Sequence, residues 1–343
     1  MNHIQKNLLN EINILIQDEL LNIANEIPEK SLNEPYLYLI EGGGKRVRSV
    51  LTMLVVGMLS NNHYLGLKPS IAIELLHNFT LVHDDIMDNS PTRRNRPTIH
   101  TKWDTSVAIL LGDVIVGLAN KEIIQSENIK EVLNLFSNSL IEVCRGQALD
   151  MEFNSNINVK SENYFEMTFL KTASLLQCSL MIGGAVTCCS DETMLILKKL
   201  GYDLGIAFQL QDDLLDIIGD ETTVGKRIGN DIIEGKKTYM MIRAKEIILE
   251  HQVDDFIKSN NLCSTILPEE KILVNKFYAN NGLDFSEIDS MREILVKYGI
   301  IQDVMERINL LFQDCDNLIN KFENNIYKDT LKLIISQLLN RNF

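Results

Sequence analysis

Proline is scarce in this chain of 343 residues. None lies between Pro97 and Pro268, and none follows Pro268. Because proline breaks helices, long proline-free stretches with apolar residues three and four positions apart predict stacked helices. No segment alternates apolar and polar residues between turn signals, so the sequence does not require a sheet. We expect an all-α fold of about ten core helices.

Cysteines at metal-binding spacing are also lacking. The six cysteines are scattered and none forms a C-x-x-C pair, so no zinc site is predicted. Cys188 and Cys189 are adjacent, and their apolar helical setting favours buried free thiols over a redox pair.

Positive charge is in deficit, since the net charge is −14. This charge argues against non-specific binding of nucleic acid. If the protein binds an anion, it must do so locally, through metal ions and a few well-placed lysines and arginines.

Long apolar runs are absent as well. The longest, Val50 to Leu59, is interrupted by Thr52 and Gly57, and a membrane span needs about 20 apolar residues. The first residues lack the pattern of a signal peptide. We expect no membrane span and a cytoplasmic location. No repeat, linker or low-complexity tract divides the chain, so one domain over residues 1–343 is expected.

Apolar periodicity and the positions of Pro and Gly give approximate helix bounds. The first helix is expected from Ile4 to Ile27, and a short second helix is expected to open at Pro35 and end at Gly42. Residues 89–98 are expected to be non-helical. Residues 219–237 are expected to form a loop with at most one helical turn, and residues 254–289 are uninformative. Further helices are predicted at 47–60, 70–88, 106–125, 130–153, 161–188, 191–218 and 239–251, with two more between 291 and 339.

The chain does have two acidic motifs of the form D-D-x-x-D. Asp84 and Asp88 lie one helical turn apart on one face, in line with His77 and Thr80. Like charges at this spacing near a helix C-terminus are unfavourable without a counter-ion, and Mg²⁺ is commonly held by one or two carboxylates and phosphate oxygens. A solvated acidic turn is the alternative for one motif. The second motif, Asp212 to Asp216, repeats the spacing in an apolar helix and favours a metal-bound polyphosphate.

Basic residues occur at a few places that suit an anion. A glycine-rich turn, Gly42 to Gly44, precedes Lys45 and Arg48 at the start of a helix, which is a typical anion site. The alternative is a simple turn with solvated charges. The remaining candidates are arginines that chelate phosphate, a mid-helix lysine that could also snorkel, and loop lysines: Arg93, Arg94, Lys171, Lys226, Lys236 and Lys237.

With these motifs in this order, the sequence resembles the trans-isoprenyl diphosphate synthases of the polyprenyl synthetase family. The motifs that carry the resemblance over most of the chain are Gly43–Lys45 with Arg48, His83–Asp88, Arg93-Arg94 with Pro97-Thr98 and His100, Gly112-Asp113, Gly146-Gln147 with Asp150, Lys171–Ala173, Phe208-Gln209 with Asp212–Asp216, and Gly225-Lys226 through Asp231 to Gly235–Thr238. The resemblance implies a helical bundle around a central cavity (the isoprenoid synthase fold), usually as a homodimer.

The resemblance also implies a reaction and its residues. Isopentenyl diphosphate condenses head to tail with an allylic diphosphate, with roughly two or three Mg²⁺ ions per site. The diphosphate of isopentenyl diphosphate is expected at Lys45, Arg48, His77 and Arg94. The allylic diphosphate is expected at Arg93, Lys171, Thr172, Gln209, Lys226 and Lys236. Metal ligands are expected at Asp84, Asp88, Asp212 and Asp216. Catalysis is expected to depend on Asp84, Asp85, Asp88, Arg93, Lys171, Asp212 and Lys226.

Product length is expected to depend on Phe79 and Thr80, the fifth and fourth residues before Asp84. A phenylalanine at this position, without an insertion between the aspartates, resembles the pattern of geranylgeranyl diphosphate synthases. Farnesyl or a longer product is the alternative, as is a Phe79 that merely packs in the core. A class I terpene cyclase and a non-catalytic synthase subunit are further alternatives, although neither usually keeps both acidic motifs.

Overall fold

Helices make up most of the computed structural model, which describes residues 3–219, 228–251 and 265–339. The predicted all-α fold class is confirmed. In the described ranges, the α-helices are α1 (His3–Ile23), α2 (Lys30–Glu41), α3 (Val47–Ser60), α4 (Leu67–Met87), α5 (Ile99–Lys102), α6 (Thr105–Ile123), α7 (Ile129–Ser155), α8 (Ser161–Thr168), α9 (Ser174–Val186), α10 (Asp191–Ile218), α11 (Asn230–Ile233), α12 (Tyr239–Ile248), α13 (Pro268–Asn280), α14 (Ile288–Lys297), α15 (Ile300–Ile319) and α16 (Ile326–Leu339).

Shorter elements connect them. A π-helical turn, Phe169–Ala173, joins α8 to α9, and single 3₁₀ turns occur at Ala24–Glu26, His63–Gly66 and Phe285–Glu287. Two strands, β1 (Thr92–Arg93) and β2 (Arg96–Pro97), form an antiparallel hairpin.

Most predicted helices lie within a few residues of the observed ones, but several expectations were wrong. Three helices, α14, α15 and α16, occupy the range between 291 and 339 where two were expected. Cys188, expected to be a buried thiol, is exposed. Pro35 does not open the second helix, because α2 begins at Lys30 and contains Pro35. Pro35 lies in the second turn of α2, where its missing N–H removes one intrahelical hydrogen bond. The segment between Pro91 and Pro97 is non-helical as expected, but it forms a hairpin where no strand was predicted.

One compact unit comprises Met1–Val143, Ser174–Tyr202 and Asp316–Gln337. Its centre is α3, which is apolar on nearly all sides and buried from Ser49 to Met58. Helix α3 packs on α9, where a Cβ on Gly183 would lie 2.7 Å from the Val55 side chain, and Tyr327 of α16 covers Gly57 of α3. Helix α4 packs along α6.

The other unit comprises Cys144–Ala173, Asp203–Cys315 and Leu338–Phe343, within the described ranges given above. Close helix contacts are made through glycines: a Cβ on Gly205 would lie 2.3 Å from the Cβ of Ala173. Helix α12 is buried along most of its length, and Tyr239 at its start donates a hydrogen bond to Asp303 of α15 at 2.8 Å. The single-domain expectation stays a prediction.

One helical stretch among the described residues, Ser161–Val186, is long and apolar enough to cross a membrane. Of its most apolar window, 78% is buried inside the protein. A core helix has the same features, so the absence of a membrane span and the cytoplasmic location both stay predictions.

Candidate active-site residues

The acidic end of α4 is shaped by its C-terminal cap. Asn89 has φ 50°, and the backbone N–H of Ser90 donates to the carbonyl of Asp85 at 2.9 Å. This pattern closes the helix and leaves Asp88 at its last turn. Asp84 lies four residues earlier on the same face, so the predicted pairing of Asp84 with Asp88 follows from local geometry.

Asp85 has a different environment from these two. It is buried, and one carboxylate oxygen accepts a hydrogen bond from Arg93 Nε at 2.8 Å. Burial raises the pKa of Asp85, and Arg93 partly offsets this rise. The contact gives Asp85 a role in holding Arg93, and its predicted part in catalysis stays a prediction.

The hairpin places the two arginines that follow the motif. Its central residues Arg94 and Asn95 have φ values of 52° and 59°. Positive φ at both positions is typical of a type I′ turn, which suits the twist of a two-residue hairpin. Arg93 lies in β1 opposite Arg96, whereas Arg94 lies in the turn itself.

Arg94 contacts the glycine-rich turn before α3. Its guanidinium donates to the carbonyl oxygen of Gly43, and a Cβ on Gly44, where φ is 146°, would lie 2.8 Å from Arg94 Nη1. Only glycine suits this backbone and this approach. Lys45, the next residue, is exposed. The structure thus joins two basic segments that are about fifty residues apart in sequence.

Arg48 and His77 meet on the neighbouring faces of α3 and α4. Arg48 Nη1 lies 3.2 Å from His77 Nε2. Because a guanidinium only donates, His77 Nε2 accepts and its proton lies on Nδ1. Burial and the nearby arginines, Arg48 first, hold the pKa of His77 well below its usual value. His77 is therefore neutral in a positively charged cluster.

Arg46, between the predicted ligands Lys45 and Arg48, has a structural contact that the sequence did not reveal. Its buried guanidinium forms an ion pair with Glu74 of α4 at 2.9 Å, and Ser49 donates to the other Glu74 oxygen at 2.8 Å. Breaking a buried ion pair leaves an unpaired charge, so this pair holds α3 and α4 in register. Only the tertiary contact distinguishes Arg46 from its basic neighbours.

The two predicted chain-length residues differ in their contacts. Thr80 is buried and donates to the carbonyl of His77 at 2.8 Å. Phe79 packs edge-on against the ring of His83, with ring centroids 4.6 Å apart. His83 in turn lies on Gly112 of α6, where a Cβ would fall 2.1 Å from His83 Nε2. Phe79 is thus held by the side of α4 that packs on α6.

The second acidic motif lies on α10. Its middle member, Asp213, is buried and accepts from Tyr164 at 2.7 Å and from Gln209 Nε2 at 2.8 Å. Asp216 accepts from the backbone N–H of Asp231 at 3.0 Å. Burial, followed by the charge of Asp231, raises the pKa of Asp213 to about 7 and that of Asp216 to about 6.

Lys171 and Thr172 lie in the π-helical turn. Lys171 forms an ion pair with Asp150, and Thr172 Oγ1 donates to Gln209 Oε1 at 2.9 Å. A Cβ on Gly146 would fall 2.2 Å from the backbone nitrogen of Lys171, so α7 supports this turn directly.

Lys236, one of the predicted substrate-binding lysines, follows α11. Lys236 forms ion pairs with Asp231 at 3.0 Å and with Glu234 at 3.3 Å. These charges raise the pKa of Lys236 against the effect of burial. Lys226 lies outside the described residues.

In the described ranges, no three His, Cys, Asp or Glu side chains gather as a ready-made metal cluster. Mg²⁺ does not require one, since it keeps several waters and commonly takes one or two carboxylates with substrate phosphates. Asp84 is partly exposed, Asp88 is exposed and Asp216 is partly exposed, so the donor chemistry suits a hydrated ion.

Comparison with known proteins points to one family. The polyprenyl synthetase model matches residues 29–268. A short chain isoprenyl diphosphate synthase of Methanocaldococcus jannaschii is 39% identical over 71% of this chain and 74% of its own. A geranylgeranyl diphosphate synthase of Sulfolobus acidocaldarius is 34% identical, covering 85% of this chain and 84% of its own. A geranylfarnesyl diphosphate synthase of Aeropyrum pernix is 31% identical over 87% and 97%, respectively.

A solved structure agrees. The geranylgeranyl pyrophosphate synthetase of Pyrococcus horikoshii superposes with a TM-score of 0.86 at 29% identity, covering 98% of both chains. These matches confirm the predicted family, the isoprenoid synthase fold and the enzyme class. The chain belongs to the polyprenyl synthetase family of prenyltransferases.

Proposed function

We propose that this enzyme condenses isopentenyl diphosphate head to tail with an allylic diphosphate. The observation that carries the proposal is the charge distribution along α4. His77 lies among arginines, and the carboxylates of Asp84 and Asp88 follow about two turns later. Cationic side chains bind a diphosphate directly, whereas carboxylates bind one through metal ions. One helix thus offers two modes of diphosphate recognition, as a reaction between two diphosphates requires.

The cationic cluster is the proposed site for isopentenyl diphosphate. Arg48 and His77 are already in contact, and Arg94 is held at the glycine-rich turn. Lys45 is exposed beside them. Neutral His77 can donate through Nδ1 to a phosphate oxygen while Nε2 stays bonded to Arg48.

The acidic motifs and their neighbours are the proposed allylic side. We assign the metal ions, roughly two or three Mg²⁺, to Asp84, Asp88, Asp212 and Asp216. Bound Mg²⁺ would offset the charge that develops on the departing diphosphate. The side chains proposed to contact that diphosphate are Arg93, Lys171, Thr172, Gln209, Lys226 and Lys236. Arg93 and Lys171 each form an ion pair with an Asp of their own unit, which holds them in place before substrate arrives.

In the proposed reaction, the allylic C–O bond breaks and both electrons leave with the diphosphate. The double bond of isopentenyl diphosphate attacks the resulting carbocation at C1 and forms the new C–C bond. A proton is then lost from C2 of the isopentenyl unit to the released diphosphate. The protein side chains orient the two substrates and stabilise the leaving group.

Geranylgeranyl diphosphate is the proposed product. Two observations support it: the Sulfolobus acidocaldarius relative carries that name, and Phe79 stands five residues before Asp84. Farnesyl diphosphate is the shorter alternative, and the geranylfarnesyl name of the Aeropyrum pernix relative marks the longer one.

One incubation tests the function and the product together. The purified chain is given labelled isopentenyl diphosphate with a five-, ten- or fifteen-carbon allylic primer, with and without Mg²⁺, and products are sized by chromatography. We expect Mg²⁺-dependent formation of the twenty-carbon diphosphate from every primer. Release of hydrocarbon or alcohol without consumption of isopentenyl diphosphate would instead identify a cyclase, and no turnover by the chain alone would indicate a non-catalytic subunit.

A further inference from the structure

Tyr164 of α8 is buried but belongs to no motif discussed above. Its side chain is 1% exposed, and its ring packs against those of Phe165 and Tyr239, with centroids 5.4 Å and 5.9 Å away. The hydroxyl donates to Asp213 Oδ2 at 2.7 Å. Burial and the neighbouring carboxylate raise the pKa of Tyr164, so the hydroxyl keeps its proton and remains a donor.

Asp213 connects Tyr164 to Gln209 because it accepts a hydrogen bond from each of them. Its second oxygen, Oδ1, accepts from Gln209 Nε2 at 2.8 Å. Both carboxylate oxygens of Asp213 accept hydrogen bonds, so the Gln209 amide has its NH₂ group turned towards Asp213. Gln209 Oε1 then faces the other way and accepts from Thr172 Oγ1 at 2.9 Å.

These three hydrogen bonds link a buried tyrosine to two partly exposed residues, Gln209 and Thr172. Thr172 lies beside Lys171 in the π-helical turn Phe169–Ala173, and such turns occur frequently at functional sites. Gln209 and Thr172 are two of the residues proposed for the allylic diphosphate.

We propose that Tyr164 is a positioning residue for the allylic substrate, acting through Asp213 on Gln209 and Thr172. The inference rests on the proposed function and deepens it. Tyr164 itself touches no substrate. Without its hydroxyl, Asp213 loses a partner and turns more freely, so Gln209 and Thr172 no longer have fixed donor and acceptor directions. Affinity for the allylic diphosphate then falls, while the site of isopentenyl diphosphate keeps all of its groups.

A matched control lies next to Tyr164. Tyr239 is also buried, and it also donates to a buried carboxylate, Asp303, at 2.8 Å. Asp303 is paired with Arg307 at 3.0 Å, so this bond leads away from Gln209 and Thr172. Tyr164→Phe and Tyr239→Phe therefore delete the same group from similar settings, and only the first removes one of the three hydrogen bonds that lead to Gln209 and Thr172.

The experiment compares steady-state kinetics and thermal unfolding of the wild type and both variants. We expect Tyr164→Phe to raise KM for the allylic diphosphate about tenfold and to leave KM for isopentenyl diphosphate within about twofold. Tyr239→Phe should lower Tm comparably and change neither KM. Equal effects of the two variants on the allylic KM, or a Tyr164→Phe variant altered only in Tm, would overturn the inference.

Two further measurements keep the outcomes separate. If Tyr164→Phe does not fold, Asp213→Asn, which keeps the side-chain shape but removes one acceptor, must show the same allylic-specific rise in KM. If the wild type forms no prenyl diphosphate, the proposed function fails. If the wild type is active and the variants do not differ, the role of Tyr164 alone fails.

Discussion

The middle aspartate of each acidic motif is buried and bound within its own unit. Asp85 accepts from Arg93, and Asp213 accepts from Tyr164 and Gln209. In both motifs the first and last aspartates lie one turn apart on the same helix face. The two motifs therefore follow the same pattern. The outer carboxylates are the proposed metal ligands, and the middle carboxylate accepts hydrogen bonds that hold neighbouring side chains in place.

The outer carboxylates should matter for turnover more than for stability. Asp84→Asn and Asp212→Asn keep the side-chain shape but weaken metal binding, so we expect turnover to fall roughly a hundredfold or more. As a control, the Tm of each variant is measured without Mg²⁺, and we expect it to lie close to the Tm of the wild type. Turnover within a few-fold of wild type would refute the metal assignment.

Phe79 provides a prediction about product length. We expect Phe79→Ala to yield longer products, because the substitution removes a ring held beside His83 from the helix below the metal ligands. Chromatography of the products with a common primer measures the effect. Val82→Ala, also on α4 and fully buried, controls for lost packing. If both variants form wild-type products, Phe79 does not limit chain growth.

His77 should make folding stability depend on pH. Its pKa is held below the unfolded value of about 6.5, so the unfolded chain binds more protons once the pH falls below that value. The stability contributed by neutral His77 is thus present above pH 6.5 and is lost on acidification. Between pH 7 and 5 the wild type should lose about 2 kcal/mol relative to His77→Asn.

Urea unfolding at several pH values measures this difference, and His3→Asn, on the exposed side of α1, controls for the loss of any histidine. A constant difference between wild type and His77→Asn across this range would show that His77 titrates as it does in the unfolded chain.

At the scale of secondary-structure elements, glycines decide how closely helices approach. Gly146 of α7 faces the backbone of Lys171, and an added Cβ would lie 2.2 Å from its nitrogen. Backbone cannot move aside as a side chain can, so the π-helical turn and α7 meet only if residue 146 has no side chain. This contact sets the position of Lys171 and Thr172.

Two glycine substitutions should therefore have opposite effects. Gly146→Ala should destabilise the fold by about 1–3 kcal/mol because it forces these elements apart. Gly117→Ala, at an exposed position of α6 with nothing within 4 Å of the new Cβ, should stabilise the fold by about 0.5–1 kcal/mol through helix propensity. Urea unfolding compares the two. A stabilising Gly146→Ala would mean that α7 shifts without cost.

For the molecule as a whole, we propose a homodimer, as expected from the family resemblance. Helix α6 exposes Ile109 and Leu110, which are 44% and 54% accessible, and a partner chain would bury such a surface. Leu110→Glu should then produce monomers, because burying an unpaired charge is costly. Light scattering after gel filtration measures the mass. Ile272→Glu, at the exposed Ile272 of α13, is the control, and a monomeric wild type would contradict the proposal.

Much of the helical architecture could be predicted from local sequence. The bounds of Val47–Ser60 and Asp191–Ile218 were expected as observed, because helical periodicity and capping depend on nearby residues. The hairpin that carries Arg93 and Arg94 was missed, since two-residue strands leave no alternating pattern to detect.

The sequence alone determined the residue types of the proposed site and the spacing of its carboxylates, because spacing along a helix converts directly into a shared face. Tertiary structure decided which carboxylate points inward and which partner it meets. Tyr164 and Asp213 are 49 residues apart and Arg94 and Gly43 are 51 apart. Such contacts and the burial that shifts pKa values arise only when distant helices pack, so no local pattern encodes them.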